Sequence, residues 1–502
     1  MEGKAKPGIS PTRAEDFPQW FQSVVRDAEV AELDHVRGAM VIRPWGYGIW
    51  ELMQRALDDG IKETGAVNAY FPLFIPLSYF EEEAKHVEGF AKEMAVVTHH
   101  RLEQGEDGSL HPAAELPEPL IVRPTSETII GRSFAKWINS YRDLPLMINQ
   151  WSNIVRWELR PRVLLRTTEF LWQEGHTAHA TEEEALEETR RMLHVYRDFT
   201  ETQLAIPVIA GEKPEYERFP GAEITLSIEA MMQDGKALQC GTSHYLGQNF
   251  SGAMEMEFTD EDGERKLCYT TSWGLTTRMI GAVVMTHGDD NGLRVPPRVA
   301  PRQVRVVPIT RDDPTAVLEA ARELAEEIGG LSWDGEAVRA EVDTRERRPA
   351  DKRWEWIRKG VPVVIELGER DIEGGVVTMT RRDDPELRRD AVPRDGSAEA
   401  VVGLLGDIQL GYYQEASERL RERTRDDITT LDEFRDFFSG EETDSGGFVK
   451  APWSEEPETI EIMGKLGVSA RVIPFDEELP ANASCVITGG PARVMAIFAK
   501  AY

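Results

Sequence analysis

Cysteine is scarce in this chain: Cys240, Cys268 and Cys485 are the three it has in 502 residues. So few, so scattered, cannot build a disulfide framework, and a reducing cytoplasmic setting is the expectation. Long apolar runs are absent too. Nowhere do about eighteen apolar residues follow one another, so no membrane-spanning helix is expected. Met1 to Pro11 carries Lys4 and Lys6 with no apolar stretch behind them and does not read as a secretory signal. Basic residues are in deficit, 58 Lys and Arg against 89 Asp and Glu, for a net charge of −31. That balance alone counts against general nucleic-acid binding, because long-range repulsion slows approach to a polyanion. No internal repeat and no long low-complexity tract appears.

What is present points to a multidomain enzyme. Apolar residues make up 41% of the chain, ample for packed cores, and its length suits two or three domains. Basic residues, though outnumbered, cluster locally: Arg345–Arg348 with Lys352 and Arg353, and Arg381, Arg382, Arg388 and Arg389.

Residues 1 to about 300 mix short strand-like runs (Leu120–Val122, Leu164–Arg166, Tyr269–Trp273) with helical segments. Glu182–Leu204 reads as a helix, with Thr181 as its cap, acidic residues in the first turn, and Leu186, Met192, Leu193 and Tyr196 at helical spacing. Pro296, Pro297 and Pro301 mark a boundary. Beyond it, strands at Val304–Ile309, Val338–Val342 and Val361–Leu367, with another at Val376–Met379, alternate with helices at Pro314–Ile328 and Ala350–Lys359. This predicts a small α/β domain with a largely parallel sheet, ending near Asp407. The remainder opens with a charged helix (Gln414–Arg423), passes a Gly/Ser/acidic loop at Ser439–Gly447 and closes in a compact end.

The most informative stretch is Asn149–His179. Arg156-Trp157-Glu158 precedes a turn through Pro161; Leu165-Arg166-Thr167-Thr168-Glu169-Phe170 follows it. An Arg facing a Glu across two strands is commonly a plain ion pair. Here such pairs flank Phe170–His176, where a guanidinium fork suits a carboxylate or phosphate and a Phe offers a face to a purine.

This stretch resembles motif 2 of the class II aminoacyl-tRNA synthetases. Trp273-Gly274-Leu275-Thr276-Thr277-Arg278 resembles motif 3, and Phe71–Pro76 after a helical Trp50–Ile61 resembles motif 1, which builds the dimer interface in that class. Longer strings, Arg123–Glu127, Phe170–His179, Arg218–Ala222, Gln239–His244 and Thr271–Arg278, are similar to the prolyl-tRNA synthetase family, in its archaeal and eukaryotic-like branch. A threonyl- or glycyl-like member of the class is the nearest rival; Thr125-Ser126-Glu127 with Cys240–His244 favours proline. The interval from His179 to Ser272 leaves no room for the editing insertion of the common bacterial form, so no cis editing is expected.

The resemblance implies an α+β class II catalytic domain with an antiparallel sheet and helices (1–300). An α/β anticodon-binding domain (301–407) and a small α+β C-terminal domain (408–502) are implied to follow. It implies a proline–tRNA ligase activity using L-proline, ATP with Mg²⁺, and tRNA(Pro), in a homodimer. Thr125 and Glu127 would hold the proline imino group, whose secondary ammonium has two N–H donors. Arg156 would contact the proline carboxylate and the α-phosphate. Glu158 would take the adenine amino group or orient the motif-2 loop; Arg166 would reach the outer phosphates, with Thr167 close to the adenine. Phe170 would stack on adenine opposite Arg278, which would also hold the γ-phosphate, and Gln239 and Thr242 would contact ATP. Trp172, Glu174, His176, Phe219, His244 and Ser272 would shape the proline pocket. Misactivation of the smaller alanine, and of cysteine, is expected. Cys240 is read as a small buried hydrophobe.

In the next domain, Arg345, Lys352, Glu366 and Arg370 are candidates for reading anticodon bases, set against the alternative of a solvated charged face. In the last, many relatives hold zinc with four cysteines. This chain has Ser454 after Trp453, Thr459 in place of a second cysteine, and Cys485 as the one retained; a structural zinc needs about four ligands, so none is expected. The terminal Tyr502 matches a family residue whose carboxylate is implied to lie near the active site.

Overall fold

A computed structural model describes residues 8–83, 94–310, 314–440 and 446–502. Part of the N-terminal segment Met1–Pro11 and part of the acidic loop Ser439–Gly447 lie outside the described residues. Among those described, no helix is long and apolar enough to cross a membrane.

The first helix, Phe17–Asp27, starts where the Asp16 side chain accepts the Gln19 N–H (2.9 Å). The second, Pro44–Glu63, buries Ile49, Trp50, Met53, Leu57 and Ile61, a three-to-four-residue spacing that puts one apolar stripe on the core. Glu182–Asp198 has the expected cap: Thr181 Oγ1 accepts from the Glu184 N–H and the Glu184 carboxylate accepts from the Thr181 N–H, each at 3.3 Å. It ends earlier than expected, giving way to one π-helical turn at Phe199–Gln203.

The catalytic region is built on a sheet running Val67–Asn68, Leu146–Val155, Glu169–His179, Tyr269–Thr276, Ala237–Gly247, Ile224–Met231 and Val208–Glu212. All neighbours are antiparallel except the Val67–Asn68 edge. One face packs on helix Glu182–Asp198, where Tyr196 donates to Gln173 Oε1 (2.6 Å). Gly175 leaves room there for the Trp273 ring; a Cβ would stand 2.0 Å from a ring carbon. The opposite face is the site. Residues 180–268, between the two site-bearing strands, are spent largely on the sheet's own strands and their covering helices.

The sheet does not stop at the catalytic region. Val208–Glu212 pairs through Glu212 and Gly211 with Ile473 and Pro474 of Ser469–Pro474, and Val494–Ala499, Phe448–Trp453 and Thr424–Arg425 follow, making eleven strands in all. The last segment of the chain is therefore joined edge to edge with the catalytic sheet.

The intervening sheet departs from the expected largely parallel one. Ala340–Val342, Val304–Ile309 and Val363–Gly368 are parallel, but Val376–Arg381 and Asp390–Pro393 return antiparallel. Only the short helix Glu369–Gly374 and Gly375, in the left-handed region at φ 62°, separate the third strand from the fourth. A parallel crossover needs a dozen residues or more. Helix Ser397–Glu422 runs without a break through the boundary expected near Asp407. Its first turns bury Val401, Leu405 and Ile408 in this domain's core; further along, Arg294 bonds Glu415 (2.9 Å) and Arg419 donates to the Thr286 carbonyl (2.8 Å). Leu164–Arg166 is a turn rather than a strand, with Leu164 at φ 62°.

Candidate active site

Alternation along the strands places every second side chain on the open face of the sheet. Trp172, Glu174 and His176 project there from Glu169–His179. In register beside them, Thr276 lies opposite Trp172, Gly274 opposite Glu174 and Ser272 opposite His176. The next strand sets Thr242 opposite Gly274 and His244 opposite Ser272. Beyond it, Glu229 lies opposite Gln239, Ser227 opposite Thr242 and Thr225 opposite His244. Together with Thr125, Glu127, Arg156, Glu158, Arg166, Thr167, Phe170, Phe219 and Arg278, these strands line one cavity of about 510 Å³. That volume falls in the ~300–1,000 Å³ range of small-molecule sites. Every catalytic, proline-site and ATP-site candidate from the sequence borders it.

The charges form a compact pattern. Thr125 Oγ1 donates to Glu127, at the start of helix Glu127–Trp137. Glu174, 2% exposed, accepts from Ser126 Oγ (2.5 Å), Gln150 Nε2 (2.8 Å) and the His176 ring (3.1 Å). Burial opposes its charge, but these partners, His176 first, hold its carboxyl below the usual range. Burial likewise opposes the His176 cation, yet the Glu174 bond and the Glu127 charge raise its pKa. His244 goes the other way: burial, aided by His176, pulls it down to about 3, leaving a neutral ring. That ring lies 4.7 Å from the Phe219 ring, and its Nδ1 meets Thr225 Oγ1 at 3.1 Å.

Arg156 follows its strand directly and donates through Nε to the Pro124 carbonyl (2.9 Å). Its guanidinium stands 5.7 Å from the Phe170 ring and 5.5 Å from the Trp172 ring. Arg278 opens helix Arg278–His287 and donates to the carbonyls of Leu165 (3.1 Å) and Gln239 (3.4 Å). Desolvation by the cavity wall lowers the pKa of both arginines, although the Arg156 side chain still opens to solvent, and anionic ligands would offset that cost. Glu158 pairs with Arg166 at 3.2 Å on the rim. Four polar atoms of residues that line the cavity, Trp172 Nε1, Arg218 Nε, Trp273 Nε1 and Thr277 Oγ1, are buried and have no hydrogen-bond partner. Cys240 is buried, its thiol pushed up by burial, as suits a packing residue.

Sequence reasoning missed one part of the wall. Lys213 and Glu217 line the cavity, and behind them Lys213 Nζ bonds Glu229 Oε1 at 2.8 Å and Glu217 Oε2 at 3.2 Å. The available signal was Glu229 itself, a carboxylate in a strand, Ile224–Met231, whose other residues are all uncharged.

The other candidates fall elsewhere. Arg345 is partly exposed and tied to Asp343 (2.6 Å) and Glu355 (2.8 Å); Arg370 is exposed. Lys352 is buried, donating to the Asp343 carbonyl (2.9 Å), and Glu366 is buried between Arg389 (2.8 Å) and Arg353 (3.4 Å). These two brace their own domain. In the last domain, Thr459 Oγ1 accepts from Trp453 Nε1 (3.1 Å) and donates to backbone carbonyls, while Ser454 Oγ donates to the Pro491 carbonyl (3.1 Å). Cys485 is buried. Tyr502 bonds Asp234 through its hydroxyl (2.6 Å) and the Ala237 carbonyl through its N–H (3.1 Å), two residues along the strand from Gln239.

An antiparallel sheet whose open face carries a motif-2 arginine, a motif-3 arginine and a buried acid pair defines a class II aminoacyl-tRNA synthetase core. Comparison with known families agrees: residues 113–287 match the tRNA synthetase class II core domain (G, H, P, S and T), 303–404 the anticodon binding domain, and 438–502 the C-terminal domain of prolyl-tRNA synthetase. The chain is 54% identical over 504 residues to a proline–tRNA ligase of Paramagnetospirillum magneticum, covering 100% of both chains. It is 53% identical to that of Protochlamydia amoebophila, covering 99% of each, and 52% identical to that of Rhodopirellula baltica, covering 100% of this chain and 99% of the relative. The chain belongs to the proline–tRNA ligase family.

Proposed function

We propose that the chain activates L-proline with ATP to prolyl-adenylate and transfers the prolyl group to tRNA(Pro), releasing AMP and diphosphate. The observation that carries this reading is the meeting of Arg156, Arg278 and the Thr125–Glu127 pair in one cavity. The full-length match to proline–tRNA ligases supports the choice of amino acid.

A proline carboxylate oxygen attacks the α-phosphorus in line; the Pα–O bond to diphosphate breaks. The terminal ribose hydroxyl of tRNA then attacks the prolyl carbonyl and AMP leaves. No side-chain nucleophile is required, so catalysis rests on positioning and charge neutralisation. Thr125 and Glu127 take the imino N–H donors. Arg156 bridges the carboxylate and α-phosphate, where negative charge gathers in the transition state. Phe170 and the Arg278 guanidinium sandwich the adenine, with Thr167 and Glu158 beside it. Arg278 and Arg166 hold the outer phosphates, and Gln239 and Thr242 complete the nucleotide contacts. Trp172, Glu174, His176, Phe219, His244 and Ser272 enclose the proline ring.

Magnesium, when bound, neutralises phosphate charge. Among the described residues no group of three or more His, Cys, Asp or Glu converges on a metal position. That suits a cation that would be held mainly by the phosphates and water. Zinc does not fit the last domain: the Thr459 and Ser454 hydroxyls are engaged in hydrogen bonds and Cys485 is the one thiol there.

Alanine lacks two of proline's ring methylenes and enters the same pocket; each lost methylene is worth only ~1–3 kcal/mol. Misactivation of alanine, and of cysteine, belongs to the proposal, as does the lack of cis editing. The anticodon domain reads tRNA through exposed groups such as Arg345 and Arg370. Exposed Val67, Tyr70 and Phe74 follow one another along the chain from the Val67–Asn68 edge, and half-exposed Trp137 packs on neighbouring Phe71 with ring centroids 5.9 Å apart, an apolar surface that supports homodimer formation. The scarcity and burial of thiols suit a cytoplasmic enzyme. The test is charging of tRNA(Pro) transcript with labelled proline: ATP-dependent, acid-precipitable product is expected, and its absence with a folded protein overturns the proposal.

A further inference from the structure

The wall of the amino-acid pocket is held from outside the catalytic region. Phe219, which stacks on His244, follows the short turn Glu215–Glu217. That turn has little structure of its own, with backbone bonds from Glu217 to Pro214 (3.0 Å) and from Arg218 to Glu215 (3.2 Å). The last domain grips it at several points. The Glu455 carboxylate accepts the N–H groups of Glu215 (3.1 Å) and Tyr216 (3.0 Å). The Tyr216 hydroxyl accepts the Ala470 N–H (3.0 Å), and its ring meets the Trp453 ring edge-on at 6.5 Å.

Arg471 ties the turn to the sheet. Its guanidinium lies 3.5 Å from Glu217 and reaches the fully buried Glu229 through Nε (3.2 Å) and Nη2 (3.1 Å). Glu229 also accepts from Lys213 (2.8 Å) and Ser227 (3.1 Å), and Lys213 returns to Glu217 (3.2 Å). Two cations and two carboxylates thus close a ring in which each buried charge has an opposite partner, the condition under which such charges are tolerated. Pairing of Ile473 with Glu212 delivers Arg471 to this place.

We propose that Arg471 and Glu455 are positioning residues for the amino-acid pocket. Through the Glu215–Glu217 turn they fix Phe219 against His244, so the C-terminal domain sets the affinity for the amino acid and the preference for proline over the smaller alanine. The proposal rests on the functional reading above. Displacing a wall by about 1 Å is enough to cost ~10²-fold, and the fit of each of the two ring methylenes that alanine lacks accounts for about 10–200-fold in selectivity.

The test uses the full-length chain in ATP–diphosphate exchange, with R471A, R471K, E455A and Y216F beside the wild type. Each variant is assayed against varied proline, varied alanine and varied ATP. For R471A and E455A the expected result is a proline KM raised about tenfold, an ATP KM within about twofold and a reduced proline-to-alanine ratio of kcat/KM. R471K should recover part of the loss. A purely structural role would lower the active fraction and leave proline KM unchanged, and that outcome overturns the proposal. Should R471A fail to fold, E455A and Y216F, at the turn's surface, decide it. Should the wild type activate another amino acid, the functional reading falls, and the same KM comparison with that amino acid still judges the positioning role.

Discussion

The Glu174 carboxylate and the His176 imidazole project from the same strand face and meet at 3.1 Å, both nearly excluded from water. The pair makes pH a direct probe of the pocket. His176 is raised above its ordinary value of 6.5, so its stabilising effect is full below pH 6.5 and is lost as pH climbs through the raised value. Glu174 is held below 4.5, so its effect is full above pH 4.5 and is lost as pH falls through the depressed value. The pair stabilises most between these limits. Glu127 reinforces the His176 charge, and His244 stands beside it as a neutral ring whose own protonation His176 suppresses. An NMR titration should place the His176 midpoint above 6.5 in the wild type and lower in E174Q. An unchanged midpoint in E174Q would show that Glu174 does not hold the proton.

Arg156 and Arg278 carry the charge stabilisation. R156A and R278A should each lose about 10²–10³-fold in ATP–diphosphate exchange with circular dichroism unchanged. R156K should not rescue, because an ammonium cannot span carboxylate and phosphate as the planar guanidinium does. A loss under about fivefold in R156A would remove it from the reacting centre.

In the last domain, the Thr459 hydroxyl joins Trp453 to the backbone of Ser454 and Glu456. T459A strands the buried indole N–H and should cost about 1–3 kcal/mol in denaturant unfolding. Elemental analysis of the purified protein should find well under one zinc per chain. A stoichiometric zinc, lost together with stability on chelation, would refute the hydrogen-bonded account.

Arg382, 1% exposed, clamps the anticodon-binding domain to the segment after the motif-3 helix by a two-pronged bond to Asp289 (2.6 and 2.5 Å). D289A leaves that buried guanidinium with the carbonyls of Leu293, Ile357 and Gly292 but no opposite charge, and a loss of about 3–5 kcal/mol in unfolding free energy is expected. A change within about 0.5 kcal/mol would mean that the domains are held elsewhere.

The candidate site residues were named through the resemblance to the class II synthetases rather than from local pattern. In the structure Trp172, Glu174 and His176 alternate along one strand, as do Thr242 and His244 along its neighbour but one, and so share one face. Lys213, Glu229 and Arg471 were not legible: their meeting depends on Ile473 pairing with Glu212 across more than two hundred residues, which no local pattern encodes. Local conformation misled at Leu164, whose positive φ turns a strand-like apolar run into a loop. It misled again around Asp407, where the α/β domain was expected to end but the tertiary packing of Leu405, Ile408 and Tyr412 carries one helix through. Lys352 and Glu366, named as anticodon candidates through the resemblance, are each buried against a partner inside their domain, which the local sequence does not reveal.

The most direct test of the central claim is ATP–diphosphate exchange on the purified chain with each of the twenty amino acids. The account predicts a dominant proline signal, a weaker one with alanine, and loss of both in R156A. A dominant signal from any other amino acid, or none from a folded protein, would contradict it.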